Sequence, residues 1–147
     1  MKKLIRFICM ILTCGLLLAV PAQAAESAET RASAFFSTYG TDLYITSSLS
    51  FQIWFDVMAN AGSSPQKLGA SEIALYESAD GQSWTKIKTY TMDDYPQMVE
   101  QNTTYHADYV PYDNAITGYY YRARITFYAK NSRGIGEKDV YTEIIRM

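Results

Sequence analysis

The chain has 147 residues, a formal charge of −2, 48% hydrophobic and 14% aromatic residues, and 13 tyrosines. That length suits one domain, or a small domain with a targeting segment, and excludes a multidomain enzyme. The aromatic content argues against a disordered chain, and the slightly acidic balance argues against sequence-independent nucleic-acid binding, which relies on clustered Lys and Arg.

Lys2, Lys3 and Arg6 begin an N-terminal segment whose apolar run, Leu4 through Val20, ends at Pro21 and is followed by Ala22-Gln23-Ala24. A basic start, an apolar core and a small-x-small site in that order make a secretory signal peptide. Cleavage is expected after Ala24, with Ala25 as the adjacent alternative. The run is shorter than the ~20 residues a membrane span needs. Cys14 lies inside it behind Thr13, without the small residue that lipidation would require. Removing 24 of the 147 residues leaves 123 and takes away three cations, so the charge moves from −2 to −5. Cys9 and Cys14 leave with the peptide. Thiol catalysis, Cys-ligated zinc and a disulfide framework are thereby excluded for the mature chain, which must rely on its apolar core. The short Lys-Lys start is bacterial in style. No second long apolar stretch and no sorting motif near Met147 follow, so the expectation is a secreted, extracellular protein with no membrane anchor after cleavage.

Residues 25–34 are small and polar and read as a flexible leader, with a β domain over 35–147. Alternation of apolar and polar positions dominates that domain, and no helical repeat is sustained. A strand pair is expected at Ser33 to Thr38 and Asp42 to Thr46, split at Tyr39-Gly40. Leu49 to Val57 is the clearest strand, with Leu49, Phe51, Ile53, Phe55 and Val57 on one face and Ser50, Gln52, Trp54 and Asp56 on the other. Ala59 to Ser71 reads as a loop through its Asn-Ala-Gly-Ser-Ser-Pro run. Glu72 to Ser78 reads as a short strand, Asp80-Gly81 as a hairpin turn, and Trp84 to Tyr90 as the returning strand.

Thr91 to Thr104 has no clear period and reads as a polar crossing. Tyr105 to Val110 is a strand ending at Pro111, and Asp113-Asn114 with Gly118 a turn. Tyr119 to Lys130 is the longest alternating run, with Tyr119, Tyr121, Ala123, Ile125, Phe127 and Ala129 on one face. Residues 131–136 turn the chain, and Glu137 to Arg146 is the last strand, with Val140, Thr142 and Ile144 inward. Seven or eight strands with frequent turns make an all-β antiparallel sandwich, a barrel being the other architecture this spacing allows.

Two segments carry a family resemblance. Tyr76-Glu77-Ser78-Ala79-Asp80-Gly81-Gln82-Ser83-Trp84 resembles a hairpin of fibronectin type III-like and discoidin-type extracellular domains. It also resembles the Asp-box of sialidases, without the residue that normally stands between Asp and Gly. In physical terms Asp and Ser bond turn backbone, Gly supplies the turn, and Trp packs back over the hairpin. Tyr119-Tyr120-Tyr121-Arg122-Ala123-Arg124 and Asn131-Ser132-Arg133-Gly134 resemble the penultimate strand and following turn of a fibronectin type III domain. With Leu68-Gly69 ahead of the hairpin and the signal peptide, the whole resembles an uncharacterised group of small secreted proteins of Gram-positive bacteria. The resemblance implies export and an Ig-like sandwich, and no known activity.

Little of the sequence points to catalysis. His106, the only histidine, stands in no nucleophile motif, and one His with scattered carboxylates does not make a zinc site. Asp93-Asp94 with Glu100 is the densest acidic spot but lacks the alternating Asp/Asn series and Gly of a calcium loop. Asp56, Glu72, Asp80 and Asp108 are carboxylates that glycoside hydrolysis could use, and no spacing selects a pair. No cofactor is expected.

The most suggestive feature is a face. With Ile125 and Phe127 inward, Tyr120, Arg122, Arg124 and Tyr128 point outward, joined by Tyr141 and Glu143 from the last strand. Tyr and Arg are enriched at binding hot spots and suit a glycan or anionic polymer. The competing reading is cross-strand pairing, with Arg122 or Arg124 against Glu143. Trp54 offers a second outward aromatic. The expected function is a non-enzymatic extracellular binding or adhesion-type module for a protein or glycan. A self-assembling structural protein and, last, a small carboxylate hydrolase are the alternatives.

Overall fold

A computed structural model describes residues 34–147. The expected signal peptide, its cleavage site at Ala24 or Ala25, and the leader through residue 33 lie outside the described residues.

The described chain is built from β1 (Phe36–Ser47), β2 (Ser50–Ala59), β3 (Lys67–Ser78), β4 (Thr85–Thr91), β5 (Val99–Gln101), β6 (Tyr105–Tyr112), β7 (Tyr120–Asn131), β8 (Gly134–Tyr141) and β9 (Ile145–Arg146). A single 3₁₀ turn, Pro96–Met98, precedes β5. Every pairing is antiparallel. The first sheet has the order β1-β2-β6. The second has the order β4-β3-β7-β8, with β5 also pairing β3 and β9 also pairing β7. The two pack as a sandwich, the all-β class that the alternation predicts. The strands beyond the expected seven or eight are the short β5 and β9.

The core lies between the sheets and follows from period-two patterning. Phe51, Ile53, Phe55 and Val57 of β2 face Ile73 and Leu75 of β3 and Tyr121, Ala123, Ile125 and Phe127 of β7, all buried. Phe51 is the aromatic hub, its ring 5.1 Å from Tyr121 across the sheets and 5.3 Å from Tyr112 beside it. Full burial of each large apolar side chain contributes about 1.5–3 kcal/mol. The phenols that enter this core are satisfied. Tyr90 of β4 donates to the Pro111 carbonyl of β6 at 2.7 Å, and Tyr121 Oη accepts from the Ile116 amide at 2.8 Å. Burial raises the pKa of both phenols above the ordinary tyrosine value.

Five local expectations are corrected. β1 is continuous through Tyr39-Gly40, because Gly40 is not a turn residue: its missing side chain leaves room for the Asp56 carboxylate of β2, which a Cβ there would strike. Leu49 is exposed in the two-residue turn between Ser47 and Ser50 rather than inward. β3 begins at Lys67, well inside the expected loop. Leu68 and Ala70 face the core, then a bulge at Ser71 shifts the phase so that Ile73 and Leu75 do. Gly69 sits in this stretch because the Met98 carbonyl and Val99 backbone pass directly over it, where no Cβ fits. β6 continues through Pro111, which an edge strand tolerates because no ladder bond is lost. Finally, the last strand breaks after Tyr141. Thr142 is buried, its Oγ1 accepting from the Ala123 amide at 3.0 Å, and Ile144 is exposed.

Candidate functional site

The outer face of the second sheet carries the residues singled out from sequence. Arg122 of β7 lies across from Tyr76 of β3 in register. Its guanidinium stands 4.3 Å from the Trp84 ring, 5.1 Å from Tyr141 and 5.8 Å from Tyr76. Trp84 thus packs back over the hairpin onto this cation. The Arg122 Nε is shut off from water and finds no hydrogen-bond partner among the described residues, so ring faces take that role. Arg124, one outward position along, donates from Nη2 to Glu72 Oε1 at 2.6 Å and stands 3.6 Å from Asp139 through Nη1. The Glu72 hydrogen bond, partly opposed by desolvation, raises the Arg124 pKa above its ordinary value. Thr126 Oγ1 completes the row by donating to Asp139 at 2.6 Å.

Glu72 and Asp139, not the expected Glu143, are therefore the acids that hold Arg124. Tyr120 sits apart under the Arg146 guanidinium at 5.3 Å. Tyr141 is exposed as expected. Tyr128 is not: it is 6% exposed, flanked in the sheet by Gly69 and Glu137, and its burial raises the phenol pKa. The expected face thus has Arg122 and Tyr141 together, Arg124 tied to acids, Tyr120 under Arg146 and Tyr128 covered.

The Asp80 turn below this face is built as the sequence suggests, with a longer loop. The Asp80 carboxylate accepts from the Ser83 amide at 2.7 Å, the Gln82 amide at 2.8 Å and the Ser78 hydroxyl at 2.8 Å, while Ser78 Oγ accepts from the Gly81 amide. The two backbone bonds hold its carboxyl far below the usual carboxylate range. A carboxylate so engaged is a structural element, not an acid awaiting substrate.

The remaining candidate acids are scattered. Asp108 accepts from the neighbouring Tyr109 amide at 2.8 Å, and Asp94 from the Thr91 hydroxyl at 2.8 Å. Glu100 stands 3.2 Å from His106 Nδ1, while the Gln97 carbonyl is 3.0 Å from Nε2. His106 is buried against Phe55, 5.8 Å between rings, and pins the crossing segment to β6. Both its nitrogens face groups of the crossing segment, the Glu100 carboxylate and the Gln97 carbonyl. No group of three or more metal-ligating side chains occurs among the described residues.

The outer face of the first sheet is different. Register sets its positions as rows: Asp42, Trp54 and Tyr109; Gly40, Asp56 and Ala107; Tyr44 and Gln52 on one side, Met58 and Tyr105 on the other. Trp54 is stacked on Tyr109 at 4.9 Å and meets the edge of Tyr44 at 5.9 Å. Its Nε1 donates to Gln52 at 3.0 Å. Tyr44, Tyr105 and Tyr109 are 53%, 50% and 38% exposed. Because Gly40 and Ala107 flank Asp56, the middle row is low. A groove of about 370 Å³ opens there, with Tyr44, Trp54 and Tyr105 as aromatic walls and Asp42 and Asp56 as its charges. Asp42 Oδ1 accepts from the Leu43 amide at 2.7 Å. No hydrogen bond or ion pair engages the half-buried Asp56 carboxylate among the described residues.

Of this second surface, sequence reading isolates only the outward Trp54 and the unassigned Asp56. Tyr44, Tyr105, Tyr109 and Asp42 were missed. Their signal is the period-two phase of β1 and β6, which becomes meaningful only once the pairing of both with β2 is known.

No family model matches the chain, and no curated protein sequence matches it. Among solved structures, the solution structure of a protein described as late embryogenesis abundant is 15% identical, with a TM-score of 0.45, covering 86% of this chain and 84% of that one. An Arabidopsis thaliana protein solved in solution is 11% identical with a TM-score of 0.34, over 77% of this chain and 80% of that one. A crystal structure from Archaeoglobus fulgidus is 5% identical with a TM-score of 0.32, over 76% and 97%. Likeness at this level carries no argument about lineage or function.

Proposed function

We propose that the chain is a secreted, non-enzymatic binding module of Ig-like, fibronectin type III-like build, and that the outer face of its first sheet meets the ligand. Strand order supports the build: with the short β5 and β9 set aside, the first, second and fifth strands form one sheet and the other four the second. The observation that carries the function is the open groove beside Trp54, with an unengaged Asp56 on its floor. On the opposite face Arg122 is stacked on rings and Arg124 is tied to acids. A concave site with aromatic walls and a few convergent polar groups is the usual form of a ligand site.

Sedimentation of purified residues 25–147 with insoluble surface material of the producing organism tests this. Trp54→Ala is expected to lower retention, and Tyr120→Ala, on the other sheet, to leave it unchanged. Retention that follows Tyr120 instead of Trp54 would move the site to the opposite face.

A second reading rests on β1. This strand of 12 residues is an edge with exposed Tyr44 and Ile45, and it carries neither Lys nor Pro to discourage pairing. Such an edge favours self-association, which light scattering at high protein concentration would reveal.

A further inference from the structure

We infer that the groove between Trp54 and Tyr105 is a subsite for uncharged sugar rings, so that the ligand of the module is a neutral glycan. This rests on the reading of the first sheet as the binding face and specifies its ligand class.

The chemistry of the lining selects the class. Among the described residues its charged groups are Asp42 and Asp56, and no Lys, Arg or His lines it. Ionised carboxylates accept hydrogen bonds and cannot donate them, so the ligand must bring donors. Sugar hydroxyls do so in pairs. Phosphate, sulfate and uronate groups are repelled for the same reason, in a chain whose charge is already negative. The aromatic walls supply the other half of recognition. The electron-rich face of an indole or phenol meets the weakly positive C–H face of a pyranose ring, as it meets the edge of another aromatic ring. One hydrophobic face and a rim of hydroxyls describes a sugar ring better than it describes a peptide side chain.

The supporting residues fit that use. Tyr109 stacks on Trp54 but does not line the groove, so it buttresses the indole and holds it in place. Gln52 fixes the indole N–H at 3.0 Å, leaving the ring as a platform. The glycine at position 40 keeps the floor low and lets the Asp56 carboxylate lie over it. Asp42 and Asp56 are diagonal neighbours on adjacent strands, a spacing of roughly 7 Å that reaches hydroxyls on one ring or on two linked rings.

Affinity electrophoresis of residues 25–147 through gels holding soluble polysaccharides tests the inference. The probes are hydroxyethylcellulose, mixed-linkage β-glucan, galactomannan and arabinoxylan as neutral polymers, and polygalacturonate as the anionic one. Retardation by at least one neutral polymer and none by polygalacturonate is expected. Trp54→Ala should weaken that retardation at least tenfold, and Tyr109→Ala severalfold through loss of the buttress. Asp42→Asn with Asp56→Asn keeps the groove's shape and should also weaken it, so the test survives if the tryptophan variant does not fold.

Retardation by polygalacturonate alone, by none of the neutral polymers, or unchanged in these variants would overturn the sugar assignment. If Trp54-dependent sedimentation persists in that case, the neutral-sugar assignment falls and the binding reading stands. The ligand is then an anionic glycan where polygalacturonate retards the chain and a protein where no polymer does. If sedimentation fails as well, both fall. Release of new reducing ends from a retained polymer would leave sugar recognition in place and overturn the non-enzymatic reading.

Discussion

The two outer faces of this sandwich use the same residue types to opposite ends. On the second sheet, aromatic rings surround the Arg122 guanidinium and carboxylates hold Arg124, so each group finds its partner within the fold. On the first sheet, aromatic rings stand beside carboxylates that pair with no cation among the described residues, and a groove lies open between them. What separates the faces is which charge lies near the rings. A cation fits a ring face and closes the cluster. A carboxylate does not, and the pair is left complementary to something with donors and an apolar face. Aromatic density alone therefore does not mark a site.

The contrast can be broken most forcefully at Arg122. Replacing it with Ala removes contacts to three rings and is expected to cost about 2 kcal/mol in urea unfolding, within the range for partly desolvated cation–π clusters. Glycan retention should not change. Trp54→Ala should do the converse, weakening retention about tenfold, or ~1.4 kcal/mol, while the unfolding midpoint moves little. If both variants lost stability and neither lost binding, the division between a structural and a recognition face would fail.

Smaller effects sharpen it. Arg124→Met should cost ~0.5–1 kcal/mol, since the Glu72 and Asp139 partners are partly exposed. That cost should shrink in high salt. Asp80 produces a slope rather than a loss. Its folded carboxyl stays ionised where the unfolded one, near 3.8, takes up a proton. The unfolded state then binds more protons, so stability falls as pH drops through about 4 and keeps falling toward the much lower folded value. Asp80→Asn should flatten the decline between pH 5 and pH 2 in acid-unfolding curves, with no effect on the groove.

How much of this was legible depends on how local the cause is. β2 alternates without interruption and β7 does so through Phe127, and the inward residues there are the ones that period two selects. β3 was half hidden because its phase slips at Ser71, which makes Leu68 and Ala70 look out of step with Ile73 and Leu75. Tyr39-Gly40 resembled a turn because the reason for that glycine, the Asp56 carboxylate, sits on another strand. The site divides the same way. An outward Arg122 and Tyr141 follow from phase, but Arg124 meets Glu72 across 52 residues of chain. Tyr128 and Trp54 share the same outward phase in sequence. Only the fold covers one of them and leaves the other beside a groove.

The bulge at Ser71 also makes β3 unequally tolerant of being shortened. Deleting any residue elsewhere in this strand throws the positions beyond it onto the wrong face. Deleting Ser71 instead leaves Leu-Gly-Ala-Glu-Ile-Ala-Leu, an unbroken alternation that keeps Ala70 opposite Phe127 and Glu72 opposite Thr126. The losses are the bond from the Met92 amide to the Ser71 carbonyl at 3.0 Å and the long contact from its hydroxyl to Thr126. The strand thus contains a single residue of slack, placed where the β4–β5 connection is moored.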